Sequence, residues 1–214
     1  MNTTQISNKP YNAARLAAIM NNLIRYCTTP SLIKESVSDH AFLISFLIIE
    51  TSTEYKELFK YVSREKLLIR ATLHDMVETV TGDIPAPAKR ALPECESLFD
   101  RIEAVVSDSL CEGRDEEFRK LLLGAISFDD LDDIEQTLFK VFDYFCVLLK
   151  ASNEIYLGNK YYKRVVREMT FVMNNLANNI HVRLDKPGYK ELWDFYSDVV
   201  DSFLKGLIER AENI

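Results

Sequence analysis

Two histidines and three carboxylates have the residue types and spacing of a metal-assisted hydrolytic site. His74 and Asp75 are adjacent, and Glu78 follows His74 by four positions, so that a helix would place His74 and Glu78 on one face. His40 lies early in another predicted helix, and Asp143 interrupts an otherwise apolar stretch of the chain. A carboxylate among apolar neighbours is costly unless it is paired or binds a metal. We therefore expect Asp143 to point toward the core and to serve as a ligand.

Imidazole and carboxylate groups from three helices predict a site for one divalent ion. This ligand set suits Co, Mn, Ni, Zn, Fe(II) or Mg without choosing among them, and water in the remaining positions is what hydrolysis requires. Each residue also has a structural interpretation: a histidine can cap a helix or fill a core, and a buried aspartate can pair with Arg or Lys. The combination, rather than any single residue, favours the metal site.

The elements that must position these residues are predicted to be helices. Only six Gly and six Pro occur in 214 residues, and 47% of the residues are hydrophobic, which is enough for a substantial core. Apolar residues recur at three- and four-residue intervals, and no segment alternates as a strand would. The pattern predicts an all-α bundle of about seven or eight helices in a single domain, 1–214, with helices near 10–26, 38–54, 63–80, 94–111, 115–126, 131–157, 160–178 and 188–211.

Local signals mark where some of these helices begin and end. Ser36 or Ser38 is the expected cap of the second helix, and the three prolines of residues 84–93 exclude regular helix there. Four aspartates, Asp129, Asp130, Asp132 and Asp133, precede or open the helix near 131–157, where negative charge suits the helix macrodipole. A metal-binding acidic loop is the lesser alternative for this cluster.

Composition excludes several classes of protein. The net charge of −7 is spread along the chain, which argues against long nucleic-acid partners but leaves room for a mononucleotide. The four cysteines form no CxxC pair and are expected to be reduced. We expect a cytoplasmic protein without a membrane partner, because no signal-peptide pattern is present and the longest apolar stretch, Ala41 to Ile49, is far below the roughly 20 residues of a membrane span. Neither GxxxxGK[ST] nor GxGxxG occurs.

The order His40, His74-Asp75, Asp143 resembles the signature of the HD-domain phosphohydrolases, and the chain is most similar to their bacterial 5′-deoxynucleotidase branch. The resemblance covers about residues 12–177 and leaves a C-terminal helical extension of about 181–214. Its most specific block joins the His-Asp pair to Glu78 and a Gly-Asp-Ile-Pro loop in one register. The matching stretches are Glu35 to His40, Leu73 to Lys89, and Lys140 through Asp143 to Asn159.

The resemblance implies a role for each of these polar residues. His40, His74, Asp75 and Asp143 would bind the metal. Glu78 and Asp83 would be catalytic, since cleavage of the P–O5′ bond expels an alkoxide that needs a proton while a second carboxylate can orient the attacking water. Which of the two carboxylates has which task stays open at this point.

Arg25 lies where the branch keeps a phosphate-binding arginine, and its planar fork suits phosphate oxygens. Lys89 is a second substrate-binding candidate, with a solvated loop lysine as the alternative. Tyr26 stands where a tryptophan against the deoxyribose is expected. We expect the Tyr26 ring to pack against the sugar and to favour deoxynucleotides; a hydrogen bond from its phenol to the sugar is the alternative.

The predicted function is a metal-dependent 5′-nucleotidase acting on (deoxy)nucleoside 5′-monophosphates. A triphosphohydrolase of the same fold is an alternative, with Lys89 and Arg90 as extra cations, and a non-catalytic nucleotide-binding module is another. A homodimer is also predicted, because large apolar residues of the last helices occupy more than one face; the alternative is that these helices are covered within one chain. The residues concerned are Trp193, Phe195, Tyr196, Phe203 and Leu207.

Overall fold

The computed structural model describes residues 9–89, 92–127 and 130–214. The described residues fold as helices joined by short connections. The α-helices are α1 (Lys9–Asn22), α2 (Val37–Glu54), α3 (Arg64–Leu73), α4 (Glu78–Thr81), α5 (Ala86–Lys89), α6 (Pro93–Cys111), α7 (Glu116–Ser127), α8 (Asp133–Tyr156), α9 (Tyr162–His181), α10 (Tyr189–Phe195) and α11 (Ser202–Glu212).

The prediction of an all-α fold with about eight helices is confirmed. Helices α4 and α5 are single turns, while α10 and α11 continue into each other through a π-helical segment, Tyr196–Asp201. Eight helical rods of ten or more residues remain within the described ranges. There the only β-type pairing is one isolated antiparallel bridge between Ile24 and Ser36.

Helix α8 lies at the centre of the main hydrophobic core. It packs against α2, α9 and α11, and buried residues from these elements form one cluster with those of α3 and α10. A second, smaller cluster joins α1, α6 and α7 around Met76 and Leu122, both of which are buried. Because α8 is covered on most sides, a polar residue within it must face either a partner or a cavity.

Capping fixes the register of the two helices that carry His40 and Asp143. The Ser36 hydroxyl accepts the Asp39 backbone N–H, and the Asp39 carboxylate accepts the Ser36 N–H, which forms the capping box of α2. Asp132 and Glu135 cap α8 in the same reciprocal way. The acidic cluster thus lies at the start of α8, as expected, and also supplies its cap; Asp129 lies outside the described residues.

Three expected helix boundaries are wrong. Helix α1 ends at Asn22 rather than near Tyr26, because the chain turns to form the bridge at Ile24. Helix α3 ends at Leu73, and a turn separates it from α4. The proline-rich segment 84–93 contains one helical turn, Ala86–Lys89, since proline is tolerated in the first turn of a helix.

The apolar residues of the last helices are covered within the chain. Phe195, Tyr196 and Leu207 are buried, and Trp193 and Phe203 are partly buried against the same core. These residues are therefore covered within one chain, which was the alternative to a dimer, and they give no support to a dimer. No helix in the described part of the chain is long and apolar enough to cross a membrane.

Candidate metal and phosphate site

Three helix segments bring the predicted metal ligands to one place. His40 belongs to the first turns of α2, His74 caps the C-terminal end of α3, and Asp75 follows it in the turn. One ligand atom from each of these residues lies within 4.8 Å of the other two. Asp143 of α8 is not in this group of three, but its Oδ1 is 3.0 Å from His40 Nε2. Asp143 therefore approaches the group from the side of His40.

The tautomer of His74 is set by its hydrogen bond to the backbone. Its Nδ1 lies 3.1 Å from the Arg70 carbonyl oxygen, and because a carbonyl can only accept, Nδ1 must carry the proton. The Nε2 atom is left with its lone pair, 3.2 Å from Asp75 Oδ2. A histidine bound to a metal usually has this arrangement, with its outer nitrogen donating to a carbonyl or carboxylate.

His40 supplies the observation that tests whether a metal fits. The side chain is 1% exposed, yet neither ring nitrogen has a hydrogen-bond partner of good geometry among the described residues. Such orphaned buried groups are rare in native proteins. Ligand atoms held at right angles, about 2.1 Å from an ion, would be about 3 Å apart, and the contacts of 3.0 and 3.2 Å match that spacing. The residues fit a divalent ion.

Asp143 faces the site rather than the core. Its carboxylate points inward, with Oδ1 3.0 Å from the buried His40 Nε2, but the side chain is 32% exposed because it meets a cavity instead of packed apolar core. Helix α8 borders the cavity at this position, and the carboxylate lines that cavity. Burial tends to raise the pKa of Asp143, but the nearby His40, His74 and Arg25 outweigh it and hold the pKa at about 2. The carboxylate is therefore charged and available as a ligand.

Glu78 and Asp83 lie on the same cavity but have different environments. The Oε2 atom of Glu78 is buried without a hydrogen-bond partner among the described residues. Burial, together with the carboxylates of Asp75 and Asp83, raises the pKa of Glu78 to about 8. Asp83 instead accepts the Tyr26 backbone N–H through Oδ2 at 3.1 Å. Asp83 thus ties two distant segments together as well as facing the cavity.

Arg25 and Tyr26 follow the bridge that ends α1. The Arg25 backbone N–H donates to the Glu35 carbonyl at 2.8 Å, next to the Ile24–Ser36 pair. Tyr26 has a φ of +59°, which is uncommon for a residue other than glycine. Its N–H bond to Asp83 holds this conformation. The tight turn directs the Arg25 and Tyr26 side chains to the cavity that contains the carboxylates.

A cavity of about 640 Å³ collects most of the predicted site residues. A smaller adjoining cavity of about 190 Å³ reaches His74, while His40 lies behind both cavities. Lys89 faces the large cavity, but its Nζ is already 3.1 Å from Glu103 Oε1 of α6. Arg90 lies outside the described residues. The predicted residues that line the large cavity are Arg25, Tyr26, Asp75, Glu78, Asp83, Lys89 and Asp143.

Several residues of the site were not predicted from the sequence. Arg70, which lines the small cavity, is fully buried with its guanidinium 5.1 Å from the Phe139 ring centroid. Its position one helical turn before His74 was the available signal. One face of α9 forms a wall of the large cavity through Val165, Met169 and Val172. Nothing in the sequence connects that face to the carboxylates of the cavity, because only tertiary packing brings them to one space.

Comparison with known proteins gives the family. The sequence matches the YfbR-like 5′-deoxynucleotidases over residues 14–184. The chain belongs to this family. It is 25% identical to a 5′-deoxynucleotidase of Vibrio vulnificus over 182 residues, which is 79% of this chain and 94% of that protein. It is 26% identical to the 5′-deoxynucleotidase YfbR of Escherichia coli over 165 residues, 71% of this chain and 83% of that protein.

Solved structures with the same fold extend the comparison to 94% of the chain. An HD-domain phosphohydrolase of Listeria innocua superposes with a TM-score of 0.67 at 17% identity, covering 94% of this chain and 92% of that one. A Pyrococcus horikoshii protein gives a TM-score of 0.64 at 20% identity, covering 94% of this chain and 99% of that one. The fold of this YfbR-like protein is therefore the HD-domain fold.

Proposed function

We propose that the protein is a metal-dependent 5′-nucleotidase that hydrolyses (deoxy)nucleoside 5′-monophosphates to nucleoside and phosphate. The observation that carries this proposal is the large cavity, where a buried arginine, two acid–base carboxylates and two carboxylate ligand candidates face one space. Membership of the YfbR-like family supports the same activity. A cavity of about 640 Å³ lies in the range of small-molecule sites, which are roughly 300–1,000 Å³.

One divalent ion would be held by His40, His74, Asp75 and Asp143. Its identity is open among Co, Mn, Ni, Zn, Fe(II) and Mg, because the mixed nitrogen and oxygen ligands do not choose. When bound, such an ion polarises phosphoryl oxygens and lowers the pKa of water. Two features would favour binding of the ion: His40 is buried, and the Arg70 carbonyl fixes the tautomer of His74.

Glu78 is the better candidate for the acid that protonates the leaving O5′ oxygen. Its buried Oε2 has no hydrogen-bond partner among the described residues, whereas one oxygen of Asp83 already accepts the Tyr26 N–H. The remaining oxygen of Asp83 can orient the attacking water. Both carboxylates line the cavity that Asp75 and Asp143 line.

Arg25 would bind the phosphate, and Tyr26 would lie against the sugar. Arg25 is largely buried, and burial by itself would lower its pKa. The surrounding acidic groups outweigh burial and raise the pKa above its ordinary value, so the guanidinium stays charged. A charged fork in a partly desolvated cavity is the strong form of phosphate contact. We retain the packing interpretation of Tyr26, in which the ring excludes a 2′-hydroxyl and deoxynucleotides are preferred.

The decisive experiment is an assay of NMPs, dNMPs and dNTPs with several divalent metals, in which the released phosphate species is identified. Inorganic phosphate from monophosphates is the expected product. Triphosphate from dNTPs would identify the triphosphohydrolase alternative, although the ion pair of Lys89 with Glu103 leaves that lysine less available for extra phosphates. If none of these nucleotides is hydrolysed with any of the metals, the protein is the non-catalytic binding module.

The homodimer and the cytoplasmic location also remain proposals. One described surface suited to a second copy is the outer face of α2, where Phe42, Phe46 and Ile49 are exposed at helical spacing. The Phe42 and Phe46 rings lie 6.4 Å apart on this face. Contiguous exposed apolar residues of this kind are typical of interfaces.

A further inference from the structure

Three buried polar atoms behind the phosphate end of the large cavity have no hydrogen-bond partner among the described residues. They are Arg25 Nη1, Tyr26 OH and Glu35 Oε1. Buried polar atoms are nearly always satisfied in native proteins, so a group of three on neighbouring residues calls for a physical explanation. Glu35 does not line the cavity, whereas Arg25 and Tyr26 do. Glu35 is therefore behind the other two and has no part in the proposed chemistry.

Backbone pairing fixes the distance between Arg25 and Glu35. The Arg25 N–H donates to the Glu35 carbonyl, and the adjacent isolated bridge between Ile24 and Ser36 holds the two backbone segments side by side. The guanidinium Nη1 lies 3.9 Å from Glu35 Oε1, and the two side chains are only 15% and 13% exposed. At this distance the two opposite charges attract each other without a direct hydrogen bond. Glu35 thus compensates part of the guanidinium charge, in addition to the carboxylates of Asp75 and Asp143.

A second ion pair backs Glu35. Burial raises the pKa of Glu35, and the positive charges of Arg25 and Lys150 oppose that rise. The Lys150 ammonium itself donates to Glu154 and to the Ile33 carbonyl. Lys150 and Glu154 are both buried. Charges of alternating sign therefore follow one another in the order Glu154, Lys150, Glu35 and Arg25. The first two residues belong to α8, and the last two belong to the segment before α2.

We propose that Glu35 is a positioning residue that holds the Arg25 guanidinium in the orientation that receives the substrate phosphate. This inference rests on the proposed function, since it takes Arg25 as the phosphate ligand. Glu35 itself does not touch the substrate. Its carboxylate restrains the rear of the guanidinium, so the forward nitrogens meet the phosphate without first losing their rotational freedom.

The test is a double-mutant cycle between Glu35→Gln and Arg25→Ala. Binding of a nucleoside 5′-phosphonate, in which carbon replaces the O5′ leaving atom, is measured by calorimetry, and KM and kcat are measured separately. E35Q alone should raise Kd and KM by about tenfold to a hundredfold, by analogy with the outer partners of metal-binding side chains, and should change kcat by much less. In the R25A background the same substitution should leave Kd unchanged.

The matched control is Glu50→Gln, an exposed glutamate of α2, which should leave Kd and KM unchanged. Equal effects of E35Q with and without Arg25, or an unchanged Kd in the single variant, would overturn the proposal. If E35Q does not fold, Glu35→Asp serves in its place, because it keeps the charge but moves it away from Arg25. Absence of nucleotide hydrolysis by the wild-type protein would refute the proposed function, whereas the binding cycle would still measure the coupling of Arg25 to Glu35.

Discussion

Replacing Glu154 by glutamine should destabilise the protein and loosen the segment that follows Arg25 and Tyr26. The Glu154 side chain is fully buried. Its two oxygens accept the backbone N–H groups of Leu32 and Ile33, each at 2.9 Å. They also accept the Lys150 ammonium and the Asn159 amide, each at 2.7 Å. Glutamine offers one acceptor oxygen and two new donors, so this set of four bonds cannot be kept.

The magnitude follows from the protonation equilibrium of Glu154. Burial raises its pKa, but Lys150, Asn159 and the two N–H groups outweigh burial and lower the pKa from 4.5 to about 2. At 1.36 kcal/mol for each pKa unit, the charged form contributes about 3 kcal/mol to the free energy of unfolding at pH 7. Because the folded-state pKa is lowered, this contribution is present above pH 4.5 and is lost as the pH falls toward 2. At pH 3 about half of it should remain.

The assay is urea unfolding of the wild type and Glu154→Gln at pH 7 and at pH 3. We expect the variant to lose about 3–5 kcal/mol at pH 7, since Lys150 is left as an uncompensated buried charge. The difference from the wild type should shrink at pH 3. Glu168→Gln is the control, because Glu168 forms a helical i,i+4 pair with Arg164 that is mostly exposed, and it should unfold like the wild type. A difference that is the same at both pH values would refute the reasoning.

Four further predictions concern the site and the assembly. Asp143→Ala should lose the metal, measured by elemental analysis; full occupancy would show that Asp143 is not a ligand. Glu78→Gln should keep the metal and the fold but lower kcat by about 10²–10⁴, and a near-normal kcat would remove Glu78 from the mechanism. Arg25→Ala should lower kcat/KM far more than any change at Tyr26, and Tyr26→Trp should preserve the preference for dAMP over AMP; equal kcat/KM values for the wild type would show that Tyr26 does not screen the sugar. Light scattering should give twice the chain mass of 24.7 kDa, and a monomer at micromolar concentrations would contradict the homodimer.

The sequence by itself determined the helices and the order of the site residues. Apolar residues at helical spacing predict the rods because one face of each helix must be buried, and this requirement is local. The position of His40 in the first turns of α2 follows from the cap Ser36, which satisfies local N–H groups, whereas the end of α3 at His74 and Asp75 was not predicted. The sequence thus predicted which residues would meet at one site, and their binding of a metal stays a prediction.

Only the tertiary structure decided where these residues face and what lies behind them. Asp143 turned out to border a cavity, because packing around α8 leaves that position uncovered. Asp83 holds Tyr26 across 57 positions of sequence, in a backbone conformation that no periodicity encodes. The approach of Glu35 to Arg25 depends on an isolated bridge between segments with no repeating pattern. Periodicity determines which face of an element is buried, whereas long-range packing and loop conformation determine which faces and side chains meet.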